Sequence, residues 1–215
     1  MATEGRWLDK LEKKMGWLAL HNLALFLSAV QGMGFLAYMS NPLIIEKISL
    51  NPQALLTGEI WRVLTFLAIP LYPDILSMFF AVWFLYFSVN ALEQQWGEFK
   101  TTFYVFISIV VTVAYCLFTG MEIQSFKYIE LTIIIAMATL YPDMQILLLF
   151  FPVKMKYVGL LSLVIMGLEF FQSGAMVRFY IVAVFTNYFV FFGGYGINTM
   201  RQSWRRWDYK RKTRR

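Results

Sequence analysis

Residues 17–38 form a run of 22 without a formal charge. At 1.5 Å per helical residue, such a run crosses the roughly 30 Å hydrocarbon core of a bilayer. Comparable stretches recur along the 215-residue chain at 75–92, 101–119, 128–140, 157–171 and 176–198. Inside lipid every backbone N–H and C=O must find its partner within the protein, so these stretches predict helices and exclude open strands. Composition agrees, because 59% of the chain is hydrophobic and only 15% is charged, against about 25% charged in soluble domains. The expected fold class is all-α: a polytopic membrane protein with a six-transmembrane-helix bundle.

Residues 40–70 break the pattern. Asn41-Pro42 and Asn51-Pro52, with Glu46, Lys47 and Glu59, argue against a span. They predict a long membrane-embedded first loop of short interfacial helices, with 60–69 dipping inward. The apolar run 144–151 is too short to cross. Three regions follow: a cytoplasmic N-terminal segment (1–16), a membrane domain (17–198) and a basic cytoplasmic tail (199–215). The basic preface of the first span is signal-peptide-like, but the span exceeds a signal peptide's apolar region and no small-x-small cleavage site follows it. An uncleaved first helix is expected.

Six spans place both termini on one side, and the basic residues take sides with them. The N-terminal segment, Lys100, Lys154, Lys156 and the tail hold fifteen of the nineteen Lys and Arg residues. Lys47, Arg62, Lys127 and Arg178 fall on the other side. The positive-inside bias makes the majority side cytoplasmic. A bacterial inner membrane fits the compact chain. The tail interleaves its basic residues with Trp204, Trp207 and Tyr209, the pattern of an anchor lying on anionic lipid. The net charge of +6 therefore reports sidedness, and the lipid bilayer is the expected partner, not nucleic acid. Nothing in the sequence specifies an oligomeric state.

One histidine and one cysteine leave no disulfide, no His/Cys zinc site and no bis-histidine haem, so no metal or cofactor is expected. Cys116 lies inside the third span as a small apolar residue. Glycines 159, 167, 193, 194 and 196 are placed to let the last two helices pack closely.

The stretch 58–106 carries Trp61-Arg62, Thr65-Phe66, an aromatic run at 83–86, Leu92-Glu93 and Gly97. This ordered set resembles the rhomboid superfamily, in which a Trp-Arg pair marks the first loop and a Glu and Gly close the second helix. The segment 139–153 is similar to that family's connection between helices four and five. Taken by themselves, Trp61 can anchor the loop at headgroup depth and Arg62 can donate to loop carbonyls or lipid phosphate. Glu93 can accept from amides of the following turn, and Gly97 can reverse the chain.

The resemblance implies a serine protease, and the chemistry for one is missing. A serine hydroxyl needs a base to take its proton. No Gly-x-Ser-Gly occurs, and the family's register sets Lys127 in the nucleophile's place, beside Ser125. The sixth span has no histidine, and its register sets Asn187 there. The oxyanion-supporting positions of the second span hold Ser77 and Ala81. His21 lies near the cytoplasmic face, away from the implied site. Ionisable residues within membranes are functional hypotheses by default. Asp74, Glu130 and Glu169 are accordingly candidate polar contacts of an outer cavity, with Glu122, Lys127 and Arg178 nearby.

The expectation is a derlin-like pseudoprotease, not an enzyme, that binds transmembrane segments of client proteins entering between helices two and five. The alternative is a small-molecule or ion transporter, or a lipid-acting membrane enzyme, built on the outer carboxylates. The sidedness has a direct test. Alkaline phosphatase fused after Ser173 should be active outside the cytoplasm, and the same reporter fused after Lys100 should be inactive.

Overall fold

The computed structural model describes residues 6–148 and 151–193; the basic tail, Gly194, Gly196 and the end of the sixth predicted span lie outside these. The chain begins with α1 (Arg6–Met15) and a 3₁₀ turn (Gly16–Leu18), followed by α2 (Leu23–Ser40). The first loop carries α3 (Ile44–Ile48), α4 (Pro52–Leu56), α5 (Arg62–Thr65) and a second 3₁₀ turn (Phe66–Ala68). Next come α6 (Ile75–Trp96), α7 (Glu98–Thr119) and α8 (Lys127–Leu140). Strands β1 (Gln145–Leu148) and β2 (Phe151–Lys154) lead into α9 (Met155–Gln172), and α10 spans Ala175–Gly193.

Among the described residues, α2, α6, α7, α9 and α10 are each long and apolar enough to cross a membrane. The chain is thus an integral, multi-pass, essentially all-α membrane protein. The 14-residue α8 is different. It is about 21 Å long at 1.5 Å per residue, short of the hydrocarbon thickness. Ten consecutive residues, Ile129 to Ala138, are buried, so protein encloses every face of it. Its neighbours include α6, α7 and α9, and Tyr128, Leu131 and Ile135 meet α10 through Tyr180 and Ile181.

Two groupings of contacts define the ends of the bundle. At one end the α2 start meets the α6 end, Tyr141 donates to Gln95 Oε1 over 2.9 Å, and Lys100 pairs with Asp9 of α1 at 2.7 Å. Lys154 and Lys156 flank Asp143 there. His21 Nδ1 lies 2.7 Å from Glu98 Oε2, both exposed. At the other end stand Arg62, Glu122, Lys127, Glu169 and Arg178.

Several boundaries differ from those expected. The first long helix starts at Leu23, not Trp17, because Asn22 adopts a left-handed conformation (φ 56°) that breaks the run. Residues before it instead form α1 and an exposed turn in which Trp17 is 80% accessible, a site suited to the headgroup layer. The predicted short apolar run 144–151 becomes part of an antiparallel ribbon with Ile146 opposite Val153. Of the glycines expected to bring the last two helices close, Gly159 makes its close approach to α8 instead: an added Cβ would lie 2.3 Å from the Ala138 Cβ. Gly167 and Gly193 have open space instead.

The first loop is embedded by a contact the sequence did not reveal. Phe66, Leu67 and Ile69 are buried, while Ile60, Trp61 and Leu64 are exposed. The buried turn rests on α2, where Gln31 Nε2 donates to the Leu67 carbonyl over 2.6 Å. One turn later, a Cβ on Gly34 would fall 1.7 Å from the Ala68 oxygen. A methyl there forces backbone apart, an overpacking cost of about 1–3 kcal/mol. G34A should therefore lower the thermal midpoint in detergent. G32A, on the same helix with nothing within 4 Å, should hold or raise it, since Ala favours helix by about 0.5–1 kcal/mol over Gly.

Candidate functional site

The first loop is clasped around Arg62 to the end of the bundle that carries Glu122 and Lys127. This side chain is buried at 9% accessibility. Its Nε donates to Glu59 Oε2 (2.6 Å), and Nη1 donates to the carbonyls of Glu46 (2.8 Å) and Ser49 (2.9 Å). A planar five-donor fork is what such a set of acceptors requires, and a lysine could not span it. From Ser49 the network continues outward: its hydroxyl donates to Glu122 Oε1. Next to it, Leu50 and Ile123 exchange both backbone hydrogen bonds at 3.0 Å. Trp61, by contrast, is 56% exposed, consistent with a headgroup anchor. Of the two sets of partners its chemistry allowed, Arg62 thus takes the loop carbonyls.

Glu93 acts elsewhere than expected. Its Oε1 accepts from the Leu23 N–H over 2.7 Å, so it caps the start of α2 and not the turn after Gly97. The cap is needed because Asn22, left-handed, offers no side-chain hydrogen bond of its own. A carboxylate at the positive end of a helix satisfies orphan donors and the dipole together. Gly97 joins α6 to α7 at φ 85° with no close neighbour, so its role is the reversal and not close packing.

Beside the Leu50–Ile123 bridge lies a cleft of ≈ 180 Å³, lined by Tyr115, Tyr128, Tyr180, Glu122, Ser125 and others. Tyr115 stacks on Tyr180 with ring centroids 4.8 Å apart, and Tyr128 meets Tyr180 edge-on at 5.2 Å. Tyr115 donates to the Met176 carbonyl over 2.8 Å. Lys127, the first residue of α8, pairs with Glu169 of α9. Arg178 donates from Nε and Nη2 to the Phe170 and Phe171 carbonyls, closing the C-terminal end of α9.

The four positions matched to the family's catalytic residues do not converge. Ser77 lies in the first turn of α6, its N–H donating to Asp74 Oδ1 over 2.8 Å, and Ala81 is buried one turn further in. Asn187 is fully buried and donates to the Tyr104 carbonyl and the Ser108 hydroxyl of α7, each at 2.7 Å. It ties α10 to α7 and never faces Lys127. The reason is depth: α10 carries Tyr180 seven residues before Asn187, nearer the Lys127 end of the bundle. Tyr180 meets the first turn of α8 in its place. The tyrosine trio was missed at the level of sequence; the available signal was a tyrosine in each of three spans otherwise rich in Phe, Ile and Val, since a buried hydroxyl demands a partner.

The three candidate carboxylates also separate. Asp74 is an exposed N-cap of α6, its carboxyl held below the usual range chiefly by the Ser77 backbone N–H. Glu169 pairs with Lys127 through Oε1, and its Oε2 is buried without a hydrogen bond. Glu130 is 8% accessible and makes no hydrogen bond or ion pair with another described side chain. It sits in the first turn of α8, where the helix dipole contributes about 0.3–1 kcal/mol. Burying an unpaired carboxylate costs several kcal/mol, so the dipole does not explain its position.

No family model, no curated protein and no solved structure matches the chain.

Glu122 supplies a pH test of the clasp. Burial raises its pKa, but hydrogen bonds from Ser49, Gln124 and Asn51 and the nearby Arg62 outweigh this and leave it lowered. A folded-state pKa below the unfolded one stabilises at neutral pH, and the gain disappears as pH falls through the lowered value. Wild type should therefore exceed E122Q in thermal midpoint above the ordinary 4.5, and the gap should close under more acid conditions.

Proposed function

We propose that the chain is a rhomboid-like pseudoprotease, a six-helix membrane protein that binds transmembrane segments of client proteins without cleaving them. Its termini face the cytoplasm, and α2, α6, α7, α8, α9 and α10 are its six family helices. The observation that carries this reading is the occupation of the implied reaction centre by non-catalytic contacts. The first turn of α8 holds Lys127 against Glu169, the facing turn of α10 offers Tyr180, and Asn187 is committed to α7. No histidine stands among them, and neither the Asn187 amide nor the Tyr180 phenol takes a proton from a hydroxyl at neutral pH.

The client route is supported by how α6 and α9 pack. Each rests on α8, and no packed interface joins them to each other. Only Met155, Gly159, Ser162 and Met166 of α9 are buried, one narrow stripe, so this helix is the least committed of the bundle. Large apolar side chains cover the outer faces, among them Phe79 and Trp83 on α6 and Leu163 and Leu168 on α9. The transporter or lipid-enzyme reading has one observation in its favour, the isolated Glu130.

Photoreactive residues at 79, 83, 163 and 168 should trap membrane proteins in cells, whereas those at 106 and 110 on the exposed face of α7 should trap few. Equal yields from all six positions would sink the client-route reading.

A further inference from the structure

The tyrosine-lined cleft of ≈ 180 Å³ lies where α7, α8 and α10 each contribute one aromatic ring: Tyr115, Tyr128 and Tyr180. Two of the rings are fixed in place. Tyr115 donates to the Met176 carbonyl over 2.8 Å, and the Tyr180 hydroxyl lies 3.4 Å from Thr112 Oγ1. Tyr115 and Tyr180 are buried, Tyr128 is half-buried, and Glu122 and Gln124 are exposed. The cleft therefore has an aromatic floor and a wet, acidic mouth. Stacking covers one face of Tyr115, and the perpendicular contact of Tyr128 with Tyr180 covers one face of only one of that pair. Tyr115 and Tyr128 thus each keep a ring face free of the other two tyrosines.

The charge of the mouth is not cancelled from within. No Lys or Arg lines the cleft. Adjacent Lys127 pairs with Glu169, and Arg62 serves Glu59 and two loop carbonyls. Glu122 takes its hydrogen bonds from neutral Ser49 and Gln124, and among the described residues it forms no ion pair. Ring faces and a carboxylate are both negative, so this lining disfavours an anion. A hard metal ion requires several oxygen ligands, and a single carboxylate stands here. An organic ammonium meets both elements, its charge on the ring faces and Glu122, its alkyl groups on the aromatic floor. The volume falls below the roughly 300–1,000 Å³ of sites for drug-sized molecules, which suits a headgroup-sized cation. We propose that this cleft is a binding site for a quaternary or primary organic ammonium, held by Tyr115, Tyr128 and Glu122. The proposal is independent of the client-binding reading.

The test uses the full-length protein in an uncharged maltoside detergent, with tritiated choline as the probe and scintillation proximity as the readout. Unlabelled choline should displace the probe at about tenfold lower concentration than its uncharged isostere, in which carbon replaces the quaternary nitrogen. Y128F, which keeps the ring, should bind as wild type does, and Y128L should bind about tenfold more weakly. Q124K alters an exposed side chain at the mouth and sets a cation beside Glu122, so it should also weaken binding while leaving the thermal midpoint unchanged. Absence of saturable binding overturns the proposal, as does equal displacement by choline and the isostere. Choline binding that neither Y128L nor Q124K reduces places the probe elsewhere and overturns it too. Nanodiscs then separate the two sources of such a cation. Loss of choline binding when phosphatidylcholine replaces phosphatidylglycerol supports the site as one for a lipid headgroup, and retention supports it as one for a soluble amine.

Discussion

The architecture depends on one helix being shorter than the membrane is thick. At 14 residues, α8 cannot carry its own backbone ends to water on both sides, and lipid would not solvate them. It is admissible only if protein covers its sides and closes both ends. The long helices supply the sides. The Leu50–Ile123 bridge and the first loop cover one end, and the residues leading to the β-ribbon cover the other, where the Met155 N–H donates to the Met144 carbonyl over 2.8 Å. The ribbon is the chain's device for returning from a helix that stops early, since its antiparallel ladder uses up backbone groups that an unpaired loop would leave bare.

The same constraint explains the first loop. A cover over a recessed helix end must stay in place although it is made of short helices, which have little stability of their own. Arg62 gathers carbonyls from α3 and its following turn, Gln31 and Gly34 seat the turn at 66–68 on α2, and Ser49 hands the clasp to Glu122. Losing the arginine would orphan two buried or half-buried carbonyls together with the Glu59 carboxylate, a penalty larger than the loss of an exposed ion pair. Arg62 is therefore a structural fastening whose effect reaches the tyrosine-lined cleft through Ser49 and Glu122.

How much of this the sequence disclosed depends on whether the cause was local. The long spans were legible because uncharged length is a property of the sequence itself, and α8 stops at its expected end because Tyr141-Pro142 follows it. The carbonyl-binding role of Arg62 and the reversal at Gly97 also followed from residue chemistry. The break at Asn22 did not, because its cap comes from Glu93, seventy residues away. Gly34 went unnoticed beside Gly32 because only the carbonyl of Ala68, on another segment, distinguishes them. Asn187 was assigned by counting from glycines, which fixes position along a helix but not the depth at which that helix meets its neighbour.

The carboxylates show why residue type alone could not finish the argument. Asp74, Glu169 and Glu130 looked equivalent as acidic residues near one membrane face. In three dimensions Asp74 caps an exposed helix start, and Glu169 pairs with Lys127 through Oε1 while its Oε2 is buried without a hydrogen bond. Glu130 meets no described side-chain partner, and the helix dipole offsets only a small part of its desolvation. A bundle that needed merely to fold would be better served by a leucine there. What separates the three carboxylates is the partner each meets on folding, and packing decides that, not residue type.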